Sequence, residues 1–393
     1  MLPAKRQAWY YKSIVIHILL LGFGLVQTLV VSFFALRLQH AFDSFKLRKN
    51  YTAALEAPSV SVCIPARNEM HALSECLEAV LASDYRKLEI IVFDDDSGDD
   101  TSVIVRSFAH AGIRFVPGTK LPEGWLGKNH ALDILAREAS GTYVLFLDVD
   151  TRVESTTISQ LVGYVMTENL SMTSVIPRRN DTWRASVLFA PLRYFWQLIL
   201  HRIASPASSS SLWMIHRETL MNTLGGFAPH KGEVEPEAHI ATLLGVKYHC
   251  LLGNETLGVS YEKKWTSQVE TARRVLYPMV GGVWLGAVGG LALLLFLDLP
   301  LVMLVMSLVL GWSFVGVVAL WTMGVFMAVY GMYTSKVLHK TWWLGALLWP
   351  FVIAQETVLF VMSCWGYARH SITWKGRSVT ARATRDDYIK IDT

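Results

Sequence analysis

From Ser13 to Leu36 the chain carries no Asp, Glu, Lys or Arg, and further apolar runs follow at Met279 to Leu297, Leu301 to Tyr330 and Trp342 to Cys364. Runs of this kind are long enough to cross the roughly 30 Å of a bilayer's hydrocarbon as helices. A cleaved signal peptide has a shorter apolar region followed by a small-residue cleavage site, so the first run reads as a retained anchor. The composition agrees: at 393 residues, 52% hydrophobic, 17% charged and with 14 Trp, the chain is too apolar for an ordinary soluble enzyme. Its net charge of +4 suits contact with anionic head groups and gives no reason to invoke nucleic acid. Cys63, Cys76, Cys250 and Cys364 lack any C-x-x-C spacing and read as free thiols rather than disulfides or a zinc site.

The late runs are separated by Asp298-Leu299-Pro300 and by a turn with Lys336, His339 and Lys340, so three spans are the simplest count. With the middle of the chain in the cytosol, Lys336 and Lys340 fall on the cytosolic side, as charge bias prefers. The basic tail, with Arg369, Lys375, Arg377, Arg382, Arg385 and Lys390, then falls outside, against that bias. Pro350, Gln355 and Glu356 suggest a re-entrant last segment, which would return the tail to the cytosol.

Between about Ser59 and Gly258 the pattern changes. Ser59 to Ile64, Leu88 to Phe93, Ile113 to Val116 and Tyr143 to Leu147 read as strands. Glu69 to Leu81, Thr101 to His110 and Gly127 to Ala139, lying between them, have helical periodicity. This alternation predicts a mostly parallel α/β sheet with ligands at the carboxyl ends of its strands. The strand from Tyr143 ends in Asp148-Val149-Asp150, where carboxylates two residues apart share one side and suit a divalent ion. Two such ligands leave most of a Mg²⁺ or Mn²⁺ shell to water and substrate phosphates, which points to a nucleotide carrying a pyrophosphate. A solvated acidic turn is the alternative. The other strand ends carry Pro65-Ala66-Arg67-Asn68-Glu69, where Asn68 or Glu69 could cap the next helix, and Asp94-Asp95-Asp96-Ser97-Gly98-Asp99-Asp100-Thr101. A third loop leads into Gly127-Lys128-Asn129-His130-Ala131-Leu132, with Lys128 at a helix start where it can meet a phosphate.

Together these four segments resemble the family 2 inverting glycosyltransferases of GT-A fold, and the Gly-Trp-Leu-Gly-Lys form of the third, with the flanking apolar helices, is most similar to their membrane-bound branch of hopanoid-associated and carotenoid-glycosylating enzymes. The resemblance covers roughly Ser59 to Tyr261. It implies donor binding by Pro65, Ala66, Arg67, Asn68, Glu69, Asp94, Asp95, Lys128, Asn129 and Asp148, with Mg²⁺ or Mn²⁺ held by Asp148 and Asp150. The nucleoside, expected to be uridine, would lie against the Pro65 to Glu69 loop and Asp95. Family members carry an acidic motif after a Gly-Gly-Phe turn, and here Gly225-Gly226-Phe227 precedes Glu233-Val234-Glu235-Pro236-Glu237. The resemblance makes Glu237 the base, with Glu235 or Glu233 as alternatives; proline and glutamate depart from the usual acidic pair. The Q-x-x-R-W signature of processive relatives is absent from Trp265 to Arg274, which favours transfer of a single sugar.

Trp183 to Arg202 interleaves aromatic and basic residues and reads as an interfacial helix, with a core helix as the alternative. The Ser208 to Ser211 tract reads as a flexible loop at a lipid entrance. The expected organisation is an N-terminal anchor (1–40), a cytosolic GT-A domain (58–262) including the interfacial helix (183–202), a juxtamembrane segment (263–278), a transmembrane region (279–365) and a basic tail (366–393). The expected function is transfer of one sugar from a nucleotide sugar, a UDP-sugar by expectation, to a lipid acceptor at the inner membrane. A polyprenyl-phosphate transferase and a degenerate GT-A scaffold are the alternatives.

Overall fold

The computed structural model describes residues 4–47, 49–51, 57–180, 192–202, 205–338 and 341–379. Strands β1 (Val60–Ala66), β2 (Leu88–Asp94), β3 (Ile113–Pro117) and β4 (Tyr143–Leu147) pair in parallel in the order 3-2-1-4. Three later strands extend the sheet beyond β4. They are β8 (Leu212–His216), antiparallel to both neighbours, β6 (Met172–Ile176), and β9 (Tyr248–Leu252), parallel to β6. The order reverses direction at β1, which pairs with β2 on one side and β4 on the other. Such a switch point opens a crevice at the carboxyl ends of the strands. Helices α2 (Leu73–Leu81), α3 (Thr101–Ser107) and α4 (Gly127–Glu138) alternate with the strands, as periodicity predicted, and α5 (Thr157–Thr167) adds a further helix after β4.

Side chains alternate across the strands. Val62, Val92, Leu145 and Met214 face one core with Leu161 and Val162, while Cys63, Phe93, Phe146 and Trp213 face another. That second core is continuous with the interior of the long apolar helices. Helix α1 (Ala4–Phe45) runs past the expected anchor, and its last turns belong to the domain. Phe34 meets Phe195 at 6.4 Å, Phe45 meets His249 at 6.1 Å, and Arg37 donates from Nε to the Ile199 carbonyl at 2.9 Å.

Helix α6 (Arg193–Leu200) is the described part of the predicted interfacial helix; residues 183–191 lie outside the described residues. Its aromatic face packs inside the protein. Phe195, Trp196, Leu198 and Ile199 are buried, with Phe195 5.3 Å from Tyr333 and 5.9 Å from Trp349. Protein apolar surface thus covers the face that lipid was expected to cover, and this part is a core helix. The serine tract is likewise no flexible loop: Ser208 and Ser209 are buried, and the Ser209 amide donates to Ser174 Oγ at 3.2 Å.

Past helix α7 (Pro236–Leu244) and strand β10 (Val259–Tyr261), helix α8 (Trp265–Met279) leads into α9 (Trp284–Leu310), α10 (Ser313–Val337), α11 (Trp342–Leu347) and α12 (Trp349–Ala368). With α1, four helices among the described residues are long and apolar enough to cross a membrane, one N-terminal and three C-terminal. Asp298-Leu299-Pro300 does not separate two of them but lies within α9. The Thr357 hydroxyl donates to Asp298 Oδ2 at 2.6 Å, giving the carboxylate a partner inside the bundle. The helix stops instead at Gly311, whose φ of +69° is the left-handed cap that glycine adopts without strain. A small antiparallel hairpin, β11 (Thr373–Trp374) and β12 (Arg377–Ser378), follows α12.

Candidate active site

At the carboxyl ends of β1, β2 and β4 lies a cleft of about 320 Å³, lined by the Pro65 to Glu69 loop, Asp95, Lys128, Asp148 and Asp150. Four distant segments converge there because parallel strands end on one side. Asp148 accepts from Lys128 Nζ at 2.6 Å, and Lys263 Nζ lies 3.6 Å from Asp150. The second contact follows from a three-stranded sheet in which β10 pairs antiparallel with β5 (Thr151–Val153), Tyr261 opposite Thr151. Residues just after β10 must then lie beside those just before β5, and the Glu262 amide donates to the Asp150 carbonyl at 3.1 Å.

Adjacent Asp94 and Asp95 divide their work. Asp94 is turned into its own loop, accepting from the Ser97 amide at 3.2 Å and from the Ser97 and Ser102 hydroxyls. It holds the loop's shape and does not line the cleft. Asp95 faces the cleft, where its Oδ2 accepts from Arg377 Nη1 at 2.6 Å. Burial pushes the Asp95 carboxyl above its ordinary pKa, and Arg377 opposes that. Asn68 caps no helix: at φ +52° it accepts from the Gly98 amide at 2.8 Å through Oδ1, and its own amide donates to Ser97 Oγ at 2.9 Å. The helix after it starts only at Leu73. The two strand-end loops are therefore stapled together. Glu69 pairs with Lys375, and burial, opposed by that lysine, raises its carboxyl.

Asn129 turns away from the cleft. Its Nδ2 lies 2.8 Å from both the His230 and Glu233 carbonyls, so it holds the acidic loop against α4. That loop begins at Gly225 and Gly226, both at positive φ, and Phe227 is fully buried 5.6 Å from Phe146. Pro236 occupies the first turn of α7, where a proline's missing N–H costs nothing. Glu237 follows at 1% exposure, and burial, reinforced by Glu235, raises its carboxyl to about 7. Arg193 lines the cleft and binds Glu235, while its Nη2 stands 3.8 Å from Glu237 Oε1. Both glutamates therefore sit behind Arg193 rather than on the cleft wall.

Among the described residues, no group of three or more His, Cys, Asp or Glu is arranged to hold a metal. Asp148 and Asp150 fit a hard divalent ion that takes its remaining oxygen ligands from water and substrate. Sequence reasoning missed Lys263 and assigned Arg193, Lys375 and Arg377 to helix faces or tail. The acids they meet lie far away in sequence, so no local signal marked them.

Residues 61–221 match the family model described as Glycosyl transferase family 2. A GalNAc(5)-diNAcBac-PP-undecaprenol beta-1,3-glucosyltransferase of Campylobacter jejuni is 34% identical over 108 residues, 27% of this chain and 34% of that protein. A 4,4'-diaponeurosporenoate glycosyltransferase of Staphylococcus haemolyticus is 34% identical over 97 residues, a quarter of each chain. The matches thus span about a third or less of these two relatives. Among solved structures, a mannosyltransferase of Pyrobaculum calidifontis, in complex with GDP-Man and Mn²⁺, aligns with a TM-score of 0.53 at 19% identity, over 89% of this chain and 98% of that one. At that identity the likeness concerns the fold, which is GT-A.

Proposed function

We propose, from the match of residues 61–221 to the family 2 glycosyltransferase model, that this chain moves a single sugar from a nucleotide sugar, a UDP-sugar in the first instance, to a lipid acceptor. The observation that carries this reading is the convergence of the Pro65 to Glu69 loop, Asp95, Lys128, Asp148 and Asp150 on one cleft walled also by α8, which bonds to Ser363 and Tyr367 of the apolar helix α12. Asp95 and the Pro65 to Glu69 loop take the nucleoside, and Lys128 meets the diphosphate. Asp148 and Asp150 hold Mg²⁺ or Mn²⁺, which when bound supplies positive charge to the leaving diphosphate. The acceptor oxygen forms its bond to the anomeric carbon from the face opposite the diphosphate, the bond to the diphosphate breaks, and the acceptor's proton passes to Glu237 once Arg193, which stands between that carboxylate and the cleft, moves aside. The configuration inverts.

The relatives named for undecaprenol-linked and diaponeurosporenoate substrates support a lipid acceptor. The domain is assigned to the cytosolic face of the inner membrane. Leu338, after α10, bridges to Arg179 of the domain, and the hairpin after α12 reaches its cleft. Both ends of the last apolar segment thus lie against the domain, which supports the re-entrant reading and a tail on the domain's own side.

A polyprenyl-phosphate acceptor is favoured by one observation: Glu235 and Glu237 sit behind Arg193, and a phosphate acceptor, already ionised, needs no base. The test is release of nucleoside diphosphate from a panel of nucleotide sugars by detergent-purified protein, with Mn²⁺, Mg²⁺ or EDTA, with and without lipid extract. Release that needs metal, rises with lipid and vanishes in Asp150→Ala is expected. No turnover and no nucleotide binding would favour the scaffold reading instead.

A further inference from the structure

The hairpin after α12 lies outside the matched family segment, yet it reaches the donor end of the cleft. Its register pairs Trp374 with Arg377, leaving Lys375 and Gly376 as a two-residue tip with φ of +45° and +80°. Positive φ at both tip positions is the geometry of the tight turns that suit a hairpin's twist. Lysine is an unusual residue for the first of them, because its Cβ crowds the backbone there.

What that lysine gains is a set of contacts on the Pro65 to Glu69 loop. Its Nζ donates to the Arg67 carbonyl at 2.6 Å and to the Glu69 carboxylate, and its amide donates to Glu270 Oε1 at 3.2 Å. Trp374 is fixed beneath the Arg274 guanidinium, 5.1 Å away. Arg377 reaches Asp95 across Gly127, where a Cβ would stand 2.8 Å from its Nη1. With the hairpin in place the Asp95 side chain is 5% exposed, whereas those of Asp148 and Asp150 are each 24% exposed. The phosphate end of the cleft is open and the nucleoside end is covered.

We propose that the hairpin Thr373–Ser378 is a displaceable plug: Arg377 and the donor's nucleoside compete for Asp95, so donor binding lifts the hairpin and donor release lets it return. The inference rests on the reading of Asp95 as a nucleoside contact. Its physical basis is access: Arg377 sits on Asp95 Oδ2 and leaves the side chain 5% exposed, with Oδ1 buried and without a partner among the described residues, so a nucleobase reaches this carboxylate only when the guanidinium moves off it. A cation provided by the chain keeps Asp95 compensated when no donor is bound, which avoids a bare buried charge.

The test uses the full-length protein in detergent, with UDP, GDP, CDP and dTDP as probes in the presence of Mn²⁺. Amide hydrogen exchange across residues 371–379 is followed with and without the nucleotide that binds, and its affinity is compared between wild type, Arg377→Ala and Arg377→Gln. Nucleotide is expected to speed exchange in the hairpin, and both variants are expected to bind about tenfold tighter, the scale of one charged hydrogen bond no longer to be broken. Tight binding with hairpin exchange unchanged or slowed, or weaker binding by the variants, would overturn the plug while leaving the transferase reading intact. If none of the four diphosphates binds wild type or either variant, both readings fall.

Discussion

Asp148 and Asp150 stand at the rim of the cleft, each 24% exposed and each beside a lysine, whereas Glu237 is 1% exposed and shares Arg193 with Glu235. Both are acidic pairs two residues apart, and both face cations, yet they are suited to different tasks. At the rim, water solvates whatever is released, so Lys128 and Lys263 can give way to an ion and a diphosphate at small cost. Behind Arg193 no water compensates, and burial holds the Glu237 proton to about 7. Under the proposed function, exposure more than residue type separates the pair assigned to the ion from the pair assigned to the proton.

The widest gap between the pairs should appear on truncation. Asp148→Ala or Asp150→Ala is expected to lower nucleoside diphosphate release by about 10³-fold, the scale of several kcal/mol of charge stabilisation. EDTA should reproduce that loss in the wild type. Glu237→Gln keeps the shape and removes the base, so kcat should fall by about 10²-fold with nucleotide affinity unchanged. A loss below threefold would select the phosphate-acceptor reading.

The pH profile sharpens the same contrast. Glu237 accepts a proton only when ionised, so kcat/KM should climb about tenfold per pH unit up to about 7 and then level, with Glu237→Gln losing that limb. Because Arg193 lowers the Glu237 pKa, Arg193→Ala should move the limb to higher pH. An unmoved limb would assign it to another group. The smallest effect concerns neighbouring Asp94 and Asp95: Asp94→Asn should cost about 1–3 kcal/mol of stability in a thermal melt, through its Ser97 and Ser102 bonds, with donor KM within about twofold.

The strands β1 to β4, the helices between them and the carboxylates at their ends were legible in the sequence, since period-two and period-3.6 patterns and strand-ending loops are local properties. So was the long apolar first helix. Legibility failed where a partner was distant. Asp94 and Asp95 look alike in the string, and only Ser102 on one side and Arg377 on the other tell them apart. Asp298-Leu299-Pro300 looked like a break because a helix partner for its carboxylate, Thr357, could not be seen. The aromatic residues of Arg193–Leu200 read as facing lipid, with a protein core as the alternative, and Tyr333 and Trp349 decided for protein.

By itself, then, the sequence determined which loops carry acids, which runs are apolar enough for a membrane and where the sheet turns its carboxyl ends. Only the tertiary structure decided that Lys263 faces Asp150, that Arg193 shields Glu237, and that the hairpin after α12 covers Asp95. The reason is physical: periodicity and turn chemistry act over a few residues, whereas the pairing and burial that set a charge's environment depend on how whole elements dock.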